Sequence, residues 1–322
     1  MVSQYTHEYL FENLVDDCHA ALLEFVGTTM FLLLGFGGIQ AAAAEAQVDA
    51  TALGGTSSVQ RVLYVATSMG FSLLVSAWLF FRVTGSLFNP NVSLALLLCG
   101  IIRPVRFVLY CIAQLVGAIA ASAIVRGLTS APLAVNTTLS AQTNLAQGVF
   151  IEMFITTALV LSVLMLAAEK HPTTPFAPIG VGLTLFTGHL FAVYYTGAGM
   201  NTARSFGPAV VSGFPDGHHW VYWIGPFLGS LLGSAFYSTL KHYRYWILNP
   251  HQDTPDSSKS PTDPVVKARS VFSERTFMPD GPRASVGDGV APRKMSVGSH
   301  SDKHAATSNT THEREKVNGS MV

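Results

Sequence analysis

Few residues of this 322-residue chain can do chemistry where they stand, because most of the chain is apolar. Glu24, Glu152, His189 and Arg204 interrupt or flank long hydrophobic runs, and Asn89 and Asn201 sit in two short stretches of similar sequence. An ionisable side chain in such surroundings is costly, so each implies a function or a partner. The chemistry on offer is hydrogen bonding and charge rather than bond breaking. No nucleophile stands with a base, and no glycine loop is spaced for phosphate. Cys18, Cys99 and Cys111 lack metal-ligand spacing and read as small buried hydrophobes. The chain therefore reads as a non-enzyme with no cofactor and no metal, and a formal net charge of +0 implies no nucleic-acid partner.

The elements that must position these groups read as membrane helices. Mean hydropathy is +0.37, 12% of residues are charged and 49% are hydrophobic. Ten of the 19 Lys/Arg and nine of the 19 Asp/Glu lie in residues 252–322, so the rest is poorer in charge than the average. A spanning helix needs about 20 apolar residues. Segments 20–44, 62–81, 107–125, 149–168, 179–195 and 220–240 meet or approach that length. The start, "MVSQYTHEYLFENLVDDCHA", is polar and acidic and lacks the pattern of a cleavable signal. Six spans put both termini on one side of the lipid bilayer. Arg82, Arg103, Arg106, Lys170, Lys241 and Arg244 then face Arg61 and Arg126, which places the termini in the cytoplasm. The connection 127–147 falls outside, where Asn136 of "NTT" is a candidate for glycosylation.

The chain also matches itself. "EFVGTT" at 24–29 pairs with "EMFITT" at 152–157, and "TGSLFNPN" at 84–91 with "TGAGMNTA" at 196–203. The second offset also pairs Gly70 with Gly182, Tyr110 with Tyr222, Gly117 with Gly229 and Ser122 with Ser234. Each half holds three spans and one matched loop. Three is odd, so the second half is inverted, and inverted repeats place their site near the bilayer midplane. In "NPNVSLALLLCGIIRP" an Asn cap and a Pro at the first helical position precede about ten apolar residues, roughly 15 Å of helix or half the ~30 Å hydrocarbon core. "NTARSFGPAVV" reads the same way but shorter. Each asparagine alone reads as an ordinary cap. As a repeat-related pair, Asn89 and Asn201 are expected to face each other across a pore, since irregular backbone at that depth must line a cavity or be buried. The expected layout is an N-terminal segment 1–19, a first repeat 20–126 with re-entrant loop 85–102, a connection 127–147, a second repeat 148–245 with re-entrant loop 196–212, and a tail 246–322.

The "NPN" and "NTA" motifs, each after "TGxxx", with "RSFGPA" following the second, resemble the aquaporin (major intrinsic protein) family from about residue 20 to 244. "LFFRVTGSLFNP" and the long tail are most similar to fungal orthodox water channels. The resemblance implies an all-α membrane protein of six transmembrane helices plus two re-entrant half-helices in two inverted repeats, assembled as a homotetramer. The family's usual Asn-Pro-Ala is altered twice, to Asn89-Pro90-Asn91 and Asn201-Thr202-Ala203. Thr202 starts a helix less rigidly than Pro, and Asn91 adds a polar group beside the pore or behind it. Arg204 follows Asn201 by about one helical turn and so shares its pore wall. By resemblance it forms the constriction with His189, Ala198 and Met69. Phe is usual in place of Met69, and Phe71 lies about 200° further round the helix. Either the constriction is wider or Met69 folds across it. Glu24 and Glu152 must be hydrogen-bonded or protonated, and the resemblance suggests that they accept bonds from the loop backbones. Two isolated glutamates make no proton relay.

The expected function is a passive, proton-excluding water channel in the plasma membrane. A glycerol-conducting subtype usually carries Asp after the arginine and a small residue for the histidine, whereas this chain has Ser205 and His189, and Tyr222–Trp223 fit the water type. A coupled transporter would need an ion or proton site at the midplane, where the sequence offers only Glu24 and Glu152. A transport-silent scaffold would keep the fold and lose the flux. Gly225, Gly229 and Gly233 form a small-residue ridge that packs within a subunit or between subunits. The tail from about residue 249 is expected to be disordered. Ser285 in "RAS" and Ser296 in "RKMS" are candidate targets for a basic-directed kinase.

Overall fold

The computed structural model describes residues 13–49 and 58–252. Among these residues the chain forms eight α-helices: α1 Leu14–Asp49, α2 Ser58–Phe80, α3 Pro90–Leu98, α4 Pro104–Leu128, α5 Leu145–Val163, α6 Ala177–Thr196, α7 Thr202–Ser212 and α8 Val221–His242. A π turn, Leu164–Ala168, extends α5. Five helical stretches are long and apolar enough to cross a membrane: Leu14–Ala46, Ser58–Phe80, Pro104–Leu128, Leu145–Ala168 and Thr174–Thr196. α8 has 22 residues, enough to span, but its Gly, Ser, Tyr and Pro positions dilute its apolar character. The outward faces are apolar, as lipid requires. Phe71, Val75 and Leu79 follow one another at helical spacing on α2 and are 57%, 46% and 59% exposed.

The repeat organises the packing. α1 packs on α4 as α5 packs on α8, and α2 meets its counterpart α6 between the halves. The matched contacts extend to single atoms. Thr29 Oγ1 donates to Phe25 O at 2.7 Å and Gly117 O at 3.3 Å, while Thr157 Oγ1 donates to Met153 O at 2.7 Å and Gly229 O at 3.3 Å. A Cβ on Gly229 would stand 2.6 Å from Met153 O, so the helices approach only because that residue is glycine. Gly225, Gly229 and Gly233 all face α5 in this way, against Glu152, Thr156 and Val160. The small-residue ridge thus packs inside the subunit.

Two features differ from the sequence expectation. α1 begins at Leu14 rather than residue 20, because its acidic start is held in place. Asp16 and Asp17 lie in the first turn, where the helix dipole favours them, and buried Asp17 pairs with Arg106 Nε at 2.7 Å and Arg103 Nη2 at 3.5 Å. The second half-helix is also the longer one, 11 residues in α7 against nine in α3. α3 stops at Cys99 and Gly100, the latter with φ +71°, before its apolar run ends, whereas α7 passes through Pro208 and ends at Gly213.

Past the C-terminal end of α5, Glu169 accepts from the Tyr237 hydroxyl, from Tyr245 Oη at 3.2 Å and from Lys241 Nζ at 2.9 Å, tying that end to α8 and the segment that follows it. Burial pushes the carboxyl up, but these donors outweigh it and hold it below its ordinary value of 4.5. A depressed carboxylate contributes stability above its unfolded value and loses it as pH falls through the folded one. The detergent-purified protein is therefore expected to melt progressively lower as pH drops below 4.5. Glu169→Gln is expected to melt a few degrees lower at pH 7 with a flatter acid dependence, which thermal scans at pH 3–7 would read.

Candidate functional site

The loops before α3 and α7 share an unusual backbone. Gly85, Ser86 and Phe88 have φ of +86°, +51° and +48°, and Gly197, Ala198 and Met200 have +78°, +54° and +51°. Left-handed non-glycine residues cost about 1–3 kcal/mol each and persist only where the surroundings over-determine them. Two carboxylates do so here. Glu24 accepts from Thr84 Oγ1 at 2.6 Å, Leu87 N at 3.0 Å, Phe88 N at 2.9 Å and Gln114 Nε2 at 3.0 Å. Glu152 accepts from Thr196 Oγ1 at 2.6 Å and from Gly199 N and Met200 N at 2.8 Å. Both carboxylates are fully buried. Tyr110 Oη donates to Thr84 O at 3.2 Å and Tyr222 Oη to Thr196 O at 2.6 Å, so the tyrosines brace the loops in matched positions.

This backbone brings the two asparagines together. Asn89 caps α3 by accepting from Asn91 N at 2.8 Å, and Asn201 caps α7 by accepting from Ala203 N at 2.9 Å and Arg204 N at 3.2 Å. Each side-chain amide also reaches across the midline. Asn89 Nδ2 donates to Met200 O, and Asn201 Nδ2 to Phe88 O, both at 2.8 Å. An amide NH2 carries two donors, so each asparagine keeps one N–H beyond this bond.

Met69, Asn89, Asn201 and Arg204 line one narrow cavity with Phe31, Leu73, Val92, Leu159, Val181 and Leu185. The space open to water centres is about 20 Å³, where one water needs about 10–15 Å³. Met69 is fully buried. Its sulfur lies against Gly35, where a Cβ would stand 2.5 Å away, and Phe71 points outward. Arg204 Nη1 donates to Val135 O at 2.8 Å, its guanidinium lies 5.2 Å from the Phe36 ring centroid, and its Nε has no protein partner. His189 and Ala198 are not among the residues lining this cavity. His189 is buried one turn beyond Leu185 on the stripe that includes Val181; its Nδ1 donates to Leu185 O at 2.9 Å, and its Nε2 has no protein partner. Ala198 is buried in the left-handed loop. Asn91, Thr202 and Pro90 line a separate apolar cavity with Cys111, Trp223 and Phe227, so Asn91 stands behind the narrow cavity rather than in it. Ala203 is buried.

Two residues at this site carry no sequence signal. Phe36 lies in an unremarkable apolar run yet meets Arg204. Gln40 is buried on α1, accepts from Ala134 N at 2.8 Å and donates to Pro132 O at 3.0 Å. It thereby fixes the connection that presents the Val135 carbonyl to Arg204. Asn136 is half-buried between buried Val135 and Thr137 and donates to Ser212 Oγ at 3.1 Å. Ser285 and Ser296 lie outside the described residues.

Inverted halves, capped half-helices meeting end to end and a water-wide cavity between them define a helical membrane channel. The family model described as Major intrinsic protein matches residues 13–237, and the chain belongs to this family, that of the aquaporins. It is 68% identical over 262 residues to Aquaporin-1 of Laccaria bicolor, covering 81% of this chain and 84% of that one. Aquaporin-7 of Botryotinia fuckeliana is 48% identical over 235 residues, 73% of this chain and 52% of its own. The structure of the aquaglyceroporin from Plasmodium falciparum is similar with a TM-score of 0.57 at 21% identity, covering 72% of this chain and 99% of that one, a likeness of fold. The protein is a channel of this family and not an enzyme.

The carboxylates supply a direct test. Glu24→Gln or Glu152→Gln replaces one accepting oxygen with an amide that faces N–H donors, which leaves at least one buried donor unpaired at about 1–3 kcal/mol. Each variant is expected to melt lower in detergent and to conduct less per folded channel.

Proposed function

We propose that this channel passes water passively along osmotic gradients and excludes protons. The observation that carries the reading is the cavity of about 20 Å³ whose polar lining includes Asn89, Asn201 and Arg204 on otherwise mostly apolar walls. Water fits there in single file. The free N–H of each asparagine and the N-terminal ends of α3 and α7 all favour a water oxygen turned to the centre. Waters on either side then point their hydrogens outward, so a donor chain cannot run through and a proton meets a positive barrier. In this reading Arg204, His189, Ala198 and Met69 form the outer constriction. Arg204 Nε and His189 Nε2 offer polar contacts to passing water, and the arginine charge repels cations. Glu24 and Glu152 support the loops.

The family likeness supports a homotetramer. The six-to-two distribution of Lys/Arg near the helix ends supports cytoplasmic termini, with the plasma membrane as the site of action. A kinase acting on Ser285 or Ser296 would regulate trafficking or gating. Asn136 is the proposed glycan acceptor.

Stopped-flow shrinkage of proteoliposomes under an osmotic step, repeated with glycerol, tests the reading. Fast water flux with slow glycerol entry is expected. Fast glycerol entry in the native protein would favour a glycerol channel, and neither flux above that of empty vesicles a silent scaffold. Met69→Ala is expected to raise glycerol entry roughly tenfold by widening the site, as pocket contacts of this size discriminate. Gly35→Ala is expected to push the Met69 side chain inward and slow water.

A further inference from the structure

The two halves match closely around the loops, so the places where they differ are informative. The first half has Pro90, Asn91 and Gln114 where the second has Thr202, Ala203 and Pro226. Asn91, Thr202 and Pro226 meet in one hydrogen-bonded cluster.

The N–H at the first position of a helix has no partner within that helix. Pro90 has no N–H to leave unpaired, but Thr202 does, and at 3% exposure water does not serve it. Asn91 Oδ1 accepts this N–H at 2.9 Å and stands 3.0 Å from the Thr202 hydroxyl. The hydroxyl has one proton. Its second neighbour is Tyr222 O at 3.1 Å, on α8. That carbonyl has no donor four residues on, because residue 226 is proline. Ser230 Oγ, one turn beyond Pro226, donates to Asn91 O at 2.8 Å and ties the start of α3 to α8. α3, α7 and α8 are thus joined through three side chains, of which Asn91 and Thr202 stand behind the narrow cavity.

We propose that Asn91 and Thr202 are a mutually compensating pair of positioning residues: the Asn91 amide oxygen replaces the partner that a proline at residue 202 would not need, and the bond sets the register of the two half-helices and hence the aim of Asn89 and Asn201. The proposal rests on the reading of the narrow cavity as the water path. The asymmetry is necessary. Pro90 offers no N–H, and Ala203, which stands where Asn91 stands in the first half, offers no side-chain acceptor, so the pair forms in one direction only.

The test is a double-mutant cycle in the full chain with Asn91→Ala, Thr202→Pro and the two combined. Water permeability per folded channel in proteoliposomes and melting in detergent are both read. Asn91→Ala strands the Thr202 N–H, and Thr202→Pro strands the Asn91 oxygen. Each single change is expected to lower water permeability roughly tenfold, within the range of coupled contacts. The double variant, with neither donor nor acceptor left, is expected to recover most of that loss. A double variant as poor as the two singles multiplied together would overturn the pairing. Lower melting of the singles with unchanged permeability per folded channel would overturn the positioning role. If the native protein carries no water, the water-channel reading fails by itself. The melting cycle then still decides the pair, non-additivity supporting it and additivity overturning it.

Discussion

Everything at the centre of this channel depends on two carboxylates binding backbone that no helix can satisfy. At membrane depth an unpaired peptide group has no water to turn to, so irregular chain survives there only when protein supplies its partners. Glu24 and Glu152 each bind two successive loop N–H groups and a threonine hydroxyl, and so hold Ser86, Phe88, Ala198 and Met200 in the left-handed region. With the loops held, the Phe88 and Met200 carbonyls face the opposite asparagines, and the two half-helices meet end to end. A buried carboxyl that would be a liability elsewhere becomes the anchor of the site, because most of the bonds it accepts are ones the loop must make.

The repeat explains why the arrangement needs so few kinds of contact. Tyr110 and Tyr222, Thr29 and Thr157, and Gly117 and Gly229 do the same work in each half. Where one half changes, a neighbour changes with it. Gln114 bonds Glu24 and Ser93, while its counterpart Pro226 does neither, and Ser205, the counterpart of Ser93, has no partner for its hydroxyl. The same proline frees the Tyr222 carbonyl that Thr202 reaches.

Much of this is legible in the sequence, for reasons that also mark the limits. Span lengths, the inverted halves and the family follow from hydropathy and from two repeated motifs, which are local patterns. The relative lengths of the half-helices do not follow, because an apolar run does not show where Gly100 ends a helix. The contact between Asn91 and Thr202 joins residues 111 apart that are not repeat equivalents, so neither periodicity nor self-similarity points to it. Phe36 and Gln40 act through the fold alone. One sits on a plain apolar helix and meets Arg204 from the side, and the other fixes a connection whose buried carbonyl has no sequence signature.

The same bonds bear on protons. A carboxylate has about four lone-pair sites, and those of Glu24 take Thr84 and Leu87 on one oxygen and Phe88 and Gln114 on the other. No site remains to take up a proton unless one of these four bonds is given up. Glu152 lacks the fourth donor, since Pro226 stands where Gln114 does in the first half, but its three bonds likewise go to a threonine hydroxyl and two loop N–H groups. Each carboxylate is thus turned to the loop and not to the cavity, where the asparagine amides and Arg204 present donors. The bonds that hold the loops occupy all of the about four lone-pair sites of Glu24 and three of those of Glu152, and one set of hydrogen bonds makes the scaffold of the site.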